Sequence, residues 1–283
     1  MIMTYNVGYL SGMTNNRAVA VPVDTFQDNQ RELIDLINFL GPDFVAFQEI
    51  DFGASRSYRY HQLDSVVSQT SLRQGAMVVN WDKRYVPFPY WPPSMHFGRM
   101  LSGQALASAY PVKGNERIVL DKPLNAPFYY NAFYLDRLMQ VNEVKIGENT
   151  LKVINVHLEA FDQETREKQA LQVLKTYNQL AAQHPVILLG DFNASAELKD
   201  GDNTIATIMK GEHIAKAISD SSYYANREAF YTYSSASPRW KIDYIFYNKD
   251  QLKAVSARVV GEAGTISDHL PVLMKFAFVS DAE

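Results

Sequence analysis

The chain has 283 residues, 47% of them apolar and 20% charged, with a formal net charge of −4. This is globular composition with enough apolar material for a large core, and the acidic total weighs against tight, non-specific gripping of duplex DNA. Cysteine is absent, which excludes disulfides, a thiolate metal site and a cysteine nucleophile.

No apolar run reaches the ~18 residues needed to span a bilayer, and no signal peptide is visible. The first strand begins at Ile2 with nothing before it. Such an abrupt start predicts that an N-terminal signal or membrane anchor has been trimmed from a bacterial-type, extracytoplasmic or anchored protein; the compartment itself stays open. No repeat, low-complexity tract or Gly/Ser linker marks a boundary, so residues 1–283 are expected to form a single domain.

In chain order, Ile2 to Val7 reads as a strand, and residues 8–25 as a polar loop containing Asn15-Asn16. Thr25 or Asp28 is the expected cap of a helix running to about Phe39, with Leu33, Ile34, Ile37 and Leu40 on one stripe. Gly41-Pro42 stops it. Phe44 to Phe47 is a buried strand, 51–61 an aromatic and basic loop, and 62–71 a helix ahead of a strand near Ala76–Asn80. Residues 85–101 hold Tyr85, Phe88, Tyr90, Trp91, Phe97 and several prolines, and read as a long aromatic loop. Gly103 to Ser108 is a strand. Residues 116–120, 129–135 and 138–146 alternate as antiparallel strands, and Gly147-Glu148-Asn149 is a hairpin turn. Leu151 to His157 is a strand, Gln163 to about Gln183 an amphipathic helix, and Val186 to Leu189 a core strand. Short helices and loop are expected over 194–225, with closing strands at 242–247, 253–260 and 270–278. This pattern predicts two packed, mostly antiparallel sheets with helices outside.

Six apolar runs end in polar islands: Tyr5-Asn6, Gln48-Glu49, Asn155-Val156-His157, Gly190-Asp191-Phe192-Asn193, Ile242-Asp243-Tyr244 and Ser267-Asp268-His269. Each has a bland reading alone. Asp, Asn and Gly are turn residues, a strand-end Glu is solvated, and a lone strand His is a satisfied core or surface residue. Together they share one design, in which a buried strand delivers an amide, carboxylate or imidazole to its exit. Asp191 and Asn193 are two apart, which in extended chain puts them on one side. Glu49 leaves a core strand and needs a partner or a metal. Asp243 lies inside an apolar run and needs a partner, for which a histidine is natural.

This ordered set resembles the endonuclease/exonuclease/phosphatase superfamily, which includes deoxyribonucleases, apurinic endonucleases, bacterial sphingomyelinases and inositol-polyphosphate 5-phosphatases. The combination of YN at Tyr5-Asn6, QE at Gln48-Glu49, GDFN at Gly190–Asn193 and SDHLP at Ser267–Pro271 carries the resemblance across nearly the whole chain. It implies a deoxyribonuclease-I-like, four-layer α/β/β/α sandwich and a Mg²⁺- or Mn²⁺-dependent attack of water on a phosphorus ester. It also implies roles. Glu49 would ligate the metal, helped by Asn6, and Asp268 would support that site. His269, oriented by Asp243, would hydrogen-bond the phosphate or act as acid or base. Asp191 would position or deprotonate water, Asn193 would hold a phosphate oxygen, and His157 would contact the phosphate from the other wall. Arg137 would reach the phosphate, with a surface ion pair to Asp136 or another acid as its competing reading.

The resemblance leaves the substrate open. A phosphodiesterase or nuclease is the first reading, acting on nucleic acid or a small phosphodiester. A phosphomonoesterase or sphingomyelinase-like phospholipase using the same site is the second. A catalytically silent binding module is the third, but it requires a lost ligand or histidine, and no island shows one. Aromatics at 58–60 and 85–101 would lie near the cleft mouth, where they stack on bases, touch lipid or pack on one another. No obligate protein partner is evident, and a monomer is expected.

Overall fold

A computed structural model describes residues 1–15, 17–124, 127, 132–195 and 201–279. The strands are β1 (Ile2–Asn6), β2 (Phe44–Asp51), β3 (Gln74–Val86), β4 (Gly98–Ser108), β5 (Val112–Val119), β6 (Leu138–Ile146), β7 (Asn149–His157), β8 (Val186–Asp191), β9 (Ile214–Lys216), β10 (Asp243–Asn248), β11 (Leu252–Val259) and β12 (Val272–Phe278). The helices are α1 (Val23–Leu40), α2 (Gln62–Gln69), α3 (Gln163–Ala181), α4 (Thr204–Ile208) and α5 (Asp220–Ala225).

The strands form two six-stranded sheets, ordered β11-β12-β1-β2-β4-β3 and β5-β6-β7-β8-β10-β9. The pairs β1–β2 and β7–β8 are parallel and the rest antiparallel. Ile2, Phe44, Ala46 and Leu106 of the first sheet pack on Val153, Ile187, Leu189 and Ile245 of the second. Phe26, Leu33 and Ile37 of α1 cover the first sheet's outer face at Val45 and Phe47. Ala170, Val173 and Tyr177 of α3 cover the second sheet's at Ile154 and Leu188. The α/β/β/α order follows from three apolar layers, one between the sheets and one under each helix. Central strands such as Val186–Leu189 are buried on both faces, which is why they read as unbroken apolar runs.

Buried amides tie the sheets together below the site. Gln48 Nε2 donates to Asn155 Oδ1 at 2.6 Å, and Asn155 Nδ2 donates to the Phe47 carbonyl at 3.0 Å. Gln48 and Asn155 therefore serve the interior, where each buried polar group needs a partner.

Several boundaries differ from expectation. Helix α1 starts at Val23 behind Pro22, without a side-chain cap; the Thr25 N–H donates to the Pro22 carbonyl, so the first turn closes earlier than a Thr25 or Asp28 cap allows. The segment 85–101 is not all loop, because Val86 still pairs with Gly98 as β3 and β4 extend to both flanks. Strand β5 begins at Val112, where pairing with Val144 of β6 draws it in. The expected strand over 129–135 falls partly outside the described residues. Its described end is not a strand, and the Phe133 carbonyl is instead held by Trp81 Nε1 at 2.8 Å. Within 194–225, Ile214–Lys216 forms an edge strand on β10.

Candidate active site

Strand register places the polar ends together. In the second sheet His157 lies beside Asp191, and Asp191 lies opposite Asp243. In the first sheet Asn6 lies beside Gln48. Stacking the sheets brings the two rows of strand ends face to face. Asn6 Nδ2 donates to Asp191 Oδ2 across the sandwich at 2.9 Å, while Asn6 Oδ1 accepts from the Gly8 N–H at 3.0 Å.

Gly190 permits this arrangement. Its φ is +141°, and a Cβ there would stand 2.0 Å from the Val156 carbonyl oxygen. Only glycine lets β8 approach β7 so closely just before Asp191.

Glu49 does not follow a strand end but interrupts a strand. The β2–β4 register shifts between Phe47 and Ile50, and Glu49 takes φ +51°. This bulge turns the carboxylate out of the ladder and into the cleft. Glu49 Oε2 accepts from Asn15 Nδ2 at 2.9 Å, and the same amide reaches Asp268 Oδ1 at 3.3 Å. Burial, and then the Asp268 charge, raise the Glu49 carboxyl above its ordinary range.

His269 Nδ1 faces Asp243 Oδ2 at 3.0 Å, and His269 Nε2 lies 3.8 Å from Asp191 Oδ2. Burial opposes protonation of His269, but Asp243 and Asp191 outweigh it and raise the imidazole to about 10. The Tyr233 ring lies 4.9 Å from the imidazole, centroid to centroid. Burial lifts Asp191 to about 7, against the lowering by His269 and by its hydrogen bonds from Asn6 and the Asn193 N–H.

Arg137 is buried rather than on the surface. Its Nη1 stands 2.6 Å from His157 Nε2, its Nη2 donates to the Tyr134 hydroxyl, and its Nε is 3.5 Å from Glu159. Asp136 pairs instead with Arg117 and Lys122, which overturns the Arg137–Asp136 alternative. Guanidinium nitrogen only donates, so His157 Nε2 is the acceptor and the imidazole is neutral. Burial, then Arg137, hold its pKa well below the ordinary value. His157 Nε2 also lies 3.5 Å from Asp191 and 3.7 Å from Glu49.

Asn193 departs from the extended geometry the spacing suggests. With φ +49° it turns back, its N–H bonding Asp191 Oδ1 and its side chain donating to the Leu158 carbonyl at 3.0 Å. It still lines the same cleft, of about 640 Å³, together with Glu49, Arg137, His157, Asp191, Asp268 and His269. Asn15 and Tyr233 also line it. Sequence reading missed both, because neither ends an apolar run and each sits in a long connection.

Two donor groups suit a cation. Asp191, Asp243 and His269 bring ligand atoms within 4.8 Å of one another, but Asp243 and the protonated imidazole already balance each other. Glu49 and Asp268 are two carboxylates sharing one neutral amide, and the Asp268 charge adds to the cost of ionising Glu49. That oxygen set fits a hard divalent ion such as Mg²⁺ or Mn²⁺.

Two stacked sheets with acids, amides and a His–Asp pair at their common edge define a phosphoester-hydrolase architecture. The chain belongs to the Endonuclease/Exonuclease/phosphatase family, whose sequence model matches residues 3–269, and it is a hydrolase of that family. A search of curated protein sequences finds no match. Among solved structures, the endonuclease/exonuclease/phosphatase of Beutenbergia cavernae superposes with a TM-score of 0.72 at 19% identity, covering 98% of this chain and 71% of that one. The human Nocturnin catalytic domain gives 0.67 at 19% identity, covering 98% and 93%. A mannosyl-6-phosphatase of Bacteroides thetaiotaomicron gives 0.69 at 14% identity, covering 98% and 99%. At these identities the likeness concerns the fold.

Proposed function

We propose that the protein hydrolyses a phosphoric ester, most readily a phosphodiester, by attack of water on phosphorus with a divalent metal ion. The observation that carries this reading is the approach of Asp191 to both His269 and Asn6 at the meeting edge of the two sheets. Glu49 and Asp268 would hold Mg²⁺ or Mn²⁺, which when bound polarises the phosphoryl group and offsets developing negative charge.

The protein's own groups do the rest. Asp191 accepts the proton of the attacking water, and its raised pKa makes it a fitting base near neutral pH. His269, kept protonated by Asp243, donates from Nε2 to a phosphate oxygen or to the oxygen leaving phosphorus. The new P–O bond comes from water, the ester P–O bond breaks, and the departing oxygen takes a proton. Arg137 supplies the fixed positive charge on the second wall, with His157 and Glu159 orienting it. Asn6 positions Asp191, and Asn193 keeps the turn that follows it.

The test is a panel of bis-p-nitrophenyl phosphate, p-nitrophenyl phosphate, plasmid DNA, RNA and sphingomyelin, each with Mg²⁺, Mn²⁺ or EDTA. Metal-dependent diester cleavage supports the proposal. Turnover confined to monoesters or lipid replaces it with the phosphomonoesterase or phospholipase reading, and no turnover on any of them overturns it.

A further inference from the structure

One wall of the cleft is a run of aromatic rings. Trp81 meets Phe97 at 6.3 Å and 74°, Phe97 meets Phe88 at 5.2 Å and 61°, and Phe88 meets Tyr90 at 6.1 Å and 75°. Each contact is edge to face, the arrangement the ring quadrupole favours. Among the described residues the run of ring contacts ends at Tyr90, which is 68% exposed. Phe161, which lines the same cleft, is 82% exposed. Two large rings on separate segments thus face the same space uncovered.

The charge around that space is equally informative. Among the described residues lining the cleft, Arg137 is the sole lysine or arginine, and it already contacts His157, Tyr134 and Glu159. Glu49, Asp191 and Asp268 line it as well. A polyanion neutralising many phosphates through basic side chains finds no such row here. A single phosphate on a flat apolar group fits both halves, with the phosphate at Arg137 and His269 and a ring continuing the edge-to-face run.

We propose that this wall is a subsite for a planar aromatic ring carried by the phosphate ester, so that the substrate class is an aryl or nucleobase-bearing ester of low charge. The proposal rests on the hydrolase reading for the placement of the phosphate. Tyr90 and Phe161 would each contact the ring, each ring pair contributing about two- to tenfold in affinity. An aliphatic chain would fill the volume without those oriented contacts.

Binding of phosphonates tests this independently of turnover, because their P–C bond is not hydrolysed. Methyl-, n-hexyl- and phenylphosphonate are titrated calorimetrically into the protein with Mg²⁺ present. Phenylphosphonate is expected to bind at least about tenfold tighter than methylphosphonate and tighter than n-hexylphosphonate. The exposed variants Tyr90→Ala and Phe161→Ala, combined, are expected to erase the phenyl advantage. A nucleoside 5′-phosphonate separates the two sources: tighter binding than phenylphosphonate assigns a base carried on a sugar, and weaker binding assigns a ring attached directly. Equal affinity for methyl and phenyl, preference for hexyl, no phosphonate binding, or an unchanged phenyl advantage in the folded double variant would overturn the subsite. Loss of turnover on the substrate panel with the phenyl preference intact would overturn the hydrolase reading alone.

Discussion

Asn6 and Asp191 are 185 residues apart in the chain, yet one 2.9 Å hydrogen bond joins the last residue of β1 to the last residue of β8. The bond crosses from one sheet to the other, so it reports whether the two layers are docked correctly. It also supplies one of two donors to a buried carboxylate; the Asn193 N–H is the other. Both favour the ionised acid, while burial favours the neutral one.

Removing that donor separates geometry from charge. Asn6→Ala is expected to raise the Asp191 pKa further and cut turnover by about tenfold or more, with a stability loss of about 1–3 kcal/mol from the unpaired buried oxygen. A pH–rate profile and urea unfolding check the two effects. An unchanged profile would detach Asn6 from Asp191.

The activity profile follows from two groups. Asp191 must be ionised to accept a proton, so the rate is expected to rise with pH through about 7. His269 must be protonated to donate, so the rate is expected to fall through about 10. Asp243→Asn removes a charge that raises the His269 pKa, and the alkaline limb should then move to lower pH. A limb that stays in place would mean His269 is not the donor.

Stability has its own pH signature at His157. Its folded-state pKa is depressed, so the folded protein binds fewer protons there than the unfolded chain. This contribution is complete above the unfolded value of about 6.5 and is lost as pH falls towards the lower folded value. His157→Gln should therefore flatten the fall in Tm as pH drops below about 6.5. Equal slopes in both proteins would show that His157 is not held neutral.

Close strand approach has a price that a single methyl exposes. Gly190→Ala sets a Cβ against the Val156 carbonyl at 2.0 Å and a residue at φ +141°. Gly103→Ala meets the Val78 carbonyl at 1.9 Å. Each is expected to cost about 3 kcal/mol or more, read as a lower urea midpoint, and Gly190→Ala should also disturb Asp191. Wild-type midpoints would contradict the strand geometry.

The strands that reach the site were legible because burial on both faces leaves unbroken apolar runs, as in Phe44–Phe47 and Val186–Leu189. The Asp243–His269 pair was legible as an acid needing a partner. Three features were not. The apolar run marks Glu49 itself, but its turn into the cleft depends on a bulge that only cross-strand register reveals. The sequence leaves Arg137 between a phosphate contact and a surface ion pair, because its partners His157 and Glu159 lie about twenty residues downstream. Asn15 carries no local signal, since its role comes from Glu49 and Asp268 meeting above it. In the fold itself, the second sheet's edge strand at Ile214–Lys216 is too short to show a period.

The metal reading predicts that EDTA abolishes turnover and that Mg²⁺ or Mn²⁺ restores it, while Glu49→Gln stays inactive after metal is added back. Isothermal titration of Mn²⁺ should show weakened binding in Glu49→Gln. Full binding and turnover in that variant would move the cation elsewhere.

Hydrolysis of bis-p-nitrophenyl phosphate by the wild-type protein and by His269→Ala, with Mg²⁺ and with folding verified by circular dichroism, bears on the chemistry most directly. The wild-type protein should release p-nitrophenol, and the folded variant should be slower by about 10²-fold or more. Matching rates from the two proteins would contradict the assignment of the reaction to this cluster.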